Sequence, residues 1–175
     1  MESSESRLGK YELLERLAVG SMAEVHLARE MGSQRLVVVK RASEAVLGNA
    51  ALGLMFADEA RLLRVLDHPN IVKVLDCSEV QERGYYVTEY VEGLDLHKLL
   101  ARVYERGETV PIPLAVKIAA AVADALGAAH LQQGADGRPL YVVHRDVSPR
   151  NIQIGLDGRT CLLDFGVARS RITDR

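Results

Sequence analysis

His144-Arg145-Asp146-Val147-Ser148-Pro149-Arg150-Asn151 is followed, thirteen residues beyond the asparagine, by Asp164-Phe165-Gly166. Asp146 has the chemistry to accept a proton from an attacking hydroxyl. Asn151, through its amide oxygen, and Asp164, through its carboxylate, are hard oxygen donors suited to a cation that bridges phosphates. A base and two cation ligands at this spacing are what phosphoryl transfer requires. The ordinary alternative is a polar turn followed by a strand end. The chain stops nine residues after Gly166.

Outward from this stretch, residues 160–163 read as a short apolar strand delivering Asp164. Short strands are also expected near 141–143 and 152–155, with a turn at Asp157-Gly158. Before them, 113–133 and 94–106 are helical. Residues 118–123 of the longer helix (Ile-Ala-Ala-Ala-Val-Ala) are apolar all round, so this helix expects burial on more than one side. Lys117 and Asp124 interrupt its apolar run, which argues against a membrane span.

The first half reads as strands. Residues 11–18 and 24–29 flank a tight turn, 35–41 hold Leu-Val-Val-Val, and 71–77 and 85–90 complete the set around a turn at Glu82-Arg83-Gly84. One amphipathic helix, 50–66, has apolar residues at 52, 55, 56, 62, 63 and 66. His68-Pro69-Asn70 ends it. Glu59 falls on that apolar stripe, where a carboxylate is costly unless paired. Lys40, at the end of the Leu-Val-Val-Val strand, is the natural partner. Held by Glu59, it can place a cation on the α- and β-phosphates of a nucleotide. Against this stands the general rule that charges are solvated. Between the first two strands, Leu17-Ala18-Val19-Gly20-Ser21-Met22-Ala23-Glu24-Val25 has the small residues that let backbone N–H groups approach phosphate oxygens. An ordinary hairpin turn has the same look.

Composition is that of a globular chain: 48% hydrophobic, 26% charged, net charge −2. That balance supplies no electrostatic case for nucleic acid or an anionic membrane. Cys77 and Cys161 match no zinc spacing and read as reduced thiols. With a polar N-terminus carrying no signal peptide, they indicate a cytoplasmic protein.

Together these segments resemble the signature set of protein kinases: a Gly-rich loop, a strand lysine, a helix glutamate, H-R-D-x-x-x-x-N and D-F-G, in that order. His68-Pro69-Asn70-Ile71-Val72 resembles the family's entry to the fourth strand. Met22-Ala23-Glu24-Val25 and the His-Arg-Asp-Val-Ser-Pro wording are most similar to bacterial serine/threonine kinases of the eukaryotic-like type. The resemblance runs from about residue 11 to 169.

It implies an α+β, protein-kinase-like fold. A disordered N-terminus (1–9) would precede an N-lobe (10–91) with a five-stranded antiparallel sheet and one main helix. The start of a mainly helical C-lobe (92–175) would follow, truncated shortly after Asp-Phe-Gly. The ligands implied are ATP and Mg2+, with a protein substrate. Asp146 would be the catalytic base, Asn151 and Asp164 the magnesium ligands, and Lys40, held by Glu59, the contact to the α- and β-phosphates. Gly20 would cover the phosphates, while Leu17, Val25 and Val38 would enclose the adenine. Thr88 would be the gatekeeper, with the backbone of Glu89 and Val91 bonding the adenine and Asp95 reaching the ribose. Leu63, Val74, His144 and Phe165 would form a hydrophobic spine, and Arg145 would meet a phosphorylated activation segment, where Ser170 and Thr173 are candidate acceptors.

The sequence departs from the pattern in places. Ala18 and Ala23 replace the outer glycines of the loop, and alanine resists positive φ. Ser148 stands where many members carry lysine. Gln153 falls where an apolar side chain normally packs under the adenine, and its amide needs a partner. The substrate-platform helices have no counterpart in these 175 residues, so a protein partner is expected over the exposed helix. An ATP-binding, pseudokinase-like interaction module and a non-functional gene fragment are the rival expectations.

Overall fold

The computed structural model describes residues 7–78 and 84–165. The chain divides into two compact units, Met1–Arg61 with Val74–Tyr90, and Leu62–Lys73 with Val91–Arg175.

The first unit is built on a six-stranded antiparallel sheet. Its strands are β1 (Arg7–Leu8), β2 (Tyr11–Val19), β3 (Ala23–Glu30), β4 (Leu36–Ala42), β5 (Val74–Cys77) and β6 (Tyr85–Glu89), in the order β1-β2-β3-β4-β6-β5. The sixth strand corrects the expected five and the expected disorder through residue 9. Gly9, at φ 56°, lets the chain double back so that Arg7 and Leu8 pair with Glu12 and Tyr11. Leu8 then joins Tyr11, Ala28, Val37, Val39 and Val87 in a buried cluster on one face of the sheet. Burial of that leucine is what holds the short edge strand.

Two irregularities shape β2. Opposite β3, Leu14 and Leu17 are each an extra residue, since Leu13 pairs with Ala28, Glu15 with Leu27, Arg16 with His26 and Ala18 with Val25. Each bulge bends the strand and deepens its twist. Strict alternation along residues 11–18 therefore fails.

After β4 come a single turn, α1 (Glu44–Leu47), and the long α2 (Ala50–Val65). Asn49 caps α2, its Oδ1 accepting from the N–H groups of Ala51 (3.0 Å) and Leu52 (3.3 Å). The buried stripe runs through Phe56, Glu59, Ala60 and Leu63. Met55, expected on that stripe, is instead 47% exposed. It lies a full residue step around the helix from the Phe56–Ala60–Leu63 line.

The second unit holds a three-stranded sheet of β7 (Gly93–Asp95), β8 (Ile152–Gly155) and β9 (Thr160–Leu162), with helices α3 (Leu96–Glu105) and α4 (Ile112–Leu131). Residues 71–73, predicted as strand, instead strap onto β9. Leu162 N–H donates to Asn70 O (2.7 Å), Val72 N–H to Leu162 O (3.0 Å), and Asn70 Nδ2 to Thr160 O (2.7 Å). This is why Leu62–Lys73 groups with the second unit. Residues 141–143 form no named strand.

By length and apolarity alone α4 meets the requirement for a membrane-crossing helix. It buries one stripe, Ile118, Val122, Ala125 and Ala129, and packs on β9. Asp124 on the same helix pairs with His68 at 3.3 Å. On its other sides Ile112, Val116 and Leu131 are exposed, the uncovered apolar surface expected of this helix.

Candidate functional site

In the first unit, cross-strand pairing gathers the predicted residues onto one face of the sheet. Val25 lies opposite Lys40, Val38 opposite Thr88, and Lys40 opposite Tyr86. Directly paired residues share a face, so Val25, Val38, Lys40, Tyr86 and Thr88 line up together, away from the Val37–Val39–Val87 cluster. Lys40 Nζ meets Glu59 Oε1 at 2.8 Å, and Glu59 is only 4% exposed. The solvated alternative for this pair is excluded. Burial of the carboxylate is offset by two donors on one oxygen, because the Tyr86 hydroxyl also donates to Oε1, at 2.7 Å. Tyr86 carries the Lys40 ammonium 5.6 Å from its ring centroid and packs on Phe56. Sequence reading missed Tyr86. The signal was its place two residues before Thr88 on one strand face.

The loop between β2 and β3 closes with Gly20 N–H donating to Ala23 O at 2.8 Å. Neither Ala18 nor Ala23 takes a positive φ, so the strain expected from replacing glycine does not arise. The loop is pinned from behind by Ser43. Its N–H donates to Met22 O (2.9 Å) and its hydroxyl to Ser21 O (3.0 Å). A serine before a helix usually caps it with Oγ; Ser43 makes no side-chain cap bond. Leu17, on its bulge, is 44% exposed, and Glu89 ends β6 opposite Val37.

In the second unit, the two opening motifs use the same backbone device. Arg145 (φ 67°) and Asp164 (φ 50°) are both in the left-handed region, a costly state for residues other than glycine. Each reversal turns one neighbour in and leaves an acid out. His144 is buried and Asp146 exposed; Phe165 is buried and Asp164 exposed. His144 and Phe165 pack at 4.4 Å between ring centroids. The Asp146 N–H donates to His144 Nδ1 (3.2 Å), which assigns the imidazole proton to Nε2, facing Leu163 O at 3.1 Å. Of the other spine candidates, Leu63 is buried in this unit and Val74 is half-buried in the first.

Pro149–Asn151 is a single 3-10 turn, with proline at its start where its missing N–H costs nothing. The turn folds Asn151 back onto Asp146. Asn151 Nδ2 donates to Asp146 Oδ2 and to its backbone O, both at 2.9 Å. With the nitrogen so used, the Asn151 Oδ1 is the end left to meet a cation. The Leu163 N–H donates to Asn151 O at 2.8 Å, so Asp164 directly follows a residue tied to that asparagine. These oxygens fit Mg2+. Among the described residues no cluster of three or more His, Cys, Asp or Glu side chains could hold a metal. A cation here would therefore complete its shell with phosphate and water oxygens, as magnesium does.

Asp95 caps α3. Its Oδ1 accepts from Lys98 N–H at 2.8 Å and its Oδ2 meets Lys98 Nζ at 3.0 Å. Burial alone would push this carboxyl up. The Lys98 backbone and side-chain hydrogen bonds outweigh it and hold the carboxyl below its usual value. Gln153 finds a partner: its Nε2 donates to Val91 O at 3.1 Å. Gly166, Ser170 and Thr173 lie outside the described residues.

The family model described as protein kinase domain matches residues 11–174. The chain belongs to the protein kinase family. It is 37% identical over 165 residues to the tyrosine-protein kinase MasK of Myxococcus xanthus, covering 93% of its own length and 26% of the relative's. It is 36% identical to the serine/threonine-protein kinase PknB of Mycobacterium tuberculosis, covering 92% and 24%, and 34% identical to PknD of Chlamydia trachomatis, covering 91% and 17%. The chain thus spans about a quarter or less of these relatives. Among solved structures it matches the PknI kinase domain of Mycobacterium tuberculosis with a TM-score of 0.72 at 28% identity, covering 94% of this chain and 63% of that one.

Proposed function

We propose that this kinase transfers the γ-phosphate of ATP to serine and threonine hydroxyls of a protein substrate, with Mg2+ as cofactor. The observation that carries the reading is the Asn151 amide bonded to the Asp146 carboxylate. It orients an exposed base with one oxygen still open. Asp146 accepts the hydroxyl proton as the new O–P bond forms, and the bond from phosphorus to ADP breaks. Asn151 and Asp164 are the cation ligands; the bound metal would neutralise charge on the phosphates. Lys40, fixed by Glu59 and Tyr86, binds the α- and β-phosphates, and Gly20 covers them through its backbone. Leu17, Val25 and Val38 contact the adenine, the Glu89 and Val91 backbones bond its edge, and Asp95 reaches the ribose while capping α3.

The serine/threonine preference is supported by the names of PknB and PknD, whereas MasK is named a tyrosine kinase. A cytoplasmic location is part of the same reading, resting on the reading of Cys77 and Cys161 as reduced thiols. The exposed apolar residues of α4 are read as a face covered by protein.

The test is Mg-ATP-dependent thermal stabilisation, followed by transfer of labelled phosphate to proteins offering serine, threonine or tyrosine. Transfer to serine and threonine that disappears in Asp146→Asn supports the proposal. Stabilisation by ATP without transfer, unaltered in Asp146→Asn, would instead indicate a nucleotide-binding module. A chain that never folds would indicate a non-functional fragment.

A further inference from the structure

Ile152-Gln153-Ile154 places one amide between two aliphatic side chains on β8. By the period of two, the isoleucines share one face of the strand and Gln153 stands on the other. Its Nε2 reaches the Val91 carbonyl at 3.1 Å, and Val91 is 8% exposed. That bond extends a zipper. Gly93, Leu94 and Asp95 pair with Gly155, Ile154 and Gln153, and the Leu156 N–H donates to Glu92 O at 2.8 Å. The ladder leaves the Val91 carbonyl, two residues before β7, to be satisfied by a side chain. Gly155 lies so near that an added Cβ would sit 3.4 Å from Val91 Cγ1.

We propose that Gln153 is a positioning residue for the nucleobase, acting through Val91. This rests on the assignment of the Val91 backbone to the adenine edge. A carbonyl held by Gln153, next to a Glu92 carbonyl held by Leu156, fixes the Val91–Glu92 peptide plane and ψ at Val91, and so tethers the residue whose backbone meets the base. An aliphatic side chain at 153 would offer a base apolar contact but no donor to Val91. An apolar floor and a tethered backbone are different solutions to one task, and this chain uses the second.

The test uses the whole chain, with adenosine and Mg-tripolyphosphate as separate probes in calorimetric titrations. Gln153→Met keeps the side-chain length without a donor. Gln153→Glu keeps the shape and sets an acceptor against the carbonyl. Both variants should bind adenosine about three- to tenfold more weakly, the worth of one hydrogen bond. Tripolyphosphate affinity should be unchanged, and amide exchange at Val91 and Glu92 should quicken. Adenosine binding by Gln153→Met as tight as in the unaltered chain, or tighter, overturns the proposal. So does an equal loss for both probes, which would mark a merely structural role. An unaltered chain that binds tripolyphosphate but no adenosine overturns this proposal together with the adenine assignment.

Discussion

The Tyr86 hydroxyl donates to Glu59 Oε1 at 2.7 Å, on the same oxygen that Lys40 approaches at 2.8 Å. The ion pair that defines the phosphate side of the site is therefore a three-residue arrangement. Its neutral member comes from β6, and removing that member leaves a buried carboxylate short of one donor. Tyr86→Phe keeps the ring against Phe56, 5.4 Å away. We expect it to lower stability by about 1.5–3 kcal/mol, the range for a hydrogen bond to a charged group. A urea titration should show a lower midpoint with an unchanged slope.

Asp146 is exposed, and its carboxylate meets Asn151 rather than a buried cation. Asp146→Asn should leave stability within about 0.5 kcal/mol of the unaltered chain. Phosphate transfer should fall by roughly a hundred- to ten-thousandfold, the usual worth of a general base. Parallel melting curves and initial rates check both halves.

Ser43 holds the loop between β2 and β3 through Ser21 O and Met22 O. Ser43→Ala keeps the backbone bond and removes the hydroxyl. We expect Mg-tripolyphosphate to bind a few-fold more weakly, about one neutral hydrogen bond. Adenosine affinity should be unchanged. Titration of the two ligands separates these outcomes.

Asp95 has a carboxyl held below its usual value, so the folded chain prefers it charged. Its contribution is full above the unfolded pKa, about 3.9. It is lost as the pH falls through the lower folded value. Asp95→Asn retains a cap acceptor but cannot titrate, so its stability should fall less steeply below about pH 4. Asp95→Ala should cost about 1 kcal/mol at neutral pH by loss of the cap. Denaturation midpoints of all three chains across the acid range provide the check.

Tyr11 behaves in the opposite sense. Burial, followed by its hydrogen bond to Asp76, pushes the phenol up to about 12. The folded chain therefore keeps the proton longer than the unfolded one. The contribution is full below about pH 10, the unfolded value, and is lost as the pH rises through about 12. Tyr11→Phe should flatten the alkaline decline, measurable as stability against pH.

Much of the candidate site was legible because its parts are local. The turn that folds Asn151 onto Asp146 spans six residues and is started by a proline. The apolar stripe of α2 announces where Glu59 must point. What was not legible was nonlocal or irregular. Strand β1 depends on one positive-φ glycine and one buried leucine. The bulges at Leu14 and Leu17 break the alternation that marks a strand. Residues 71–73 look like strand because they are extended, yet their backbone bonds go to β9.

The sequence by itself determined the family, through motifs whose residue types and spacings are set by the chemistry they perform. It also determined the acidic and amide groups available for that chemistry. Only the tertiary structure decided who satisfies the buried polar groups. Tyr86 completes the Lys40–Glu59 pair, Ser43 ties the loop instead of capping its helix, and Gln153 meets the Val91 carbonyl. Each of these bonds joins residues distant in sequence. A buried polar atom must be paired, but nothing in its own neighbourhood along the chain says by whom.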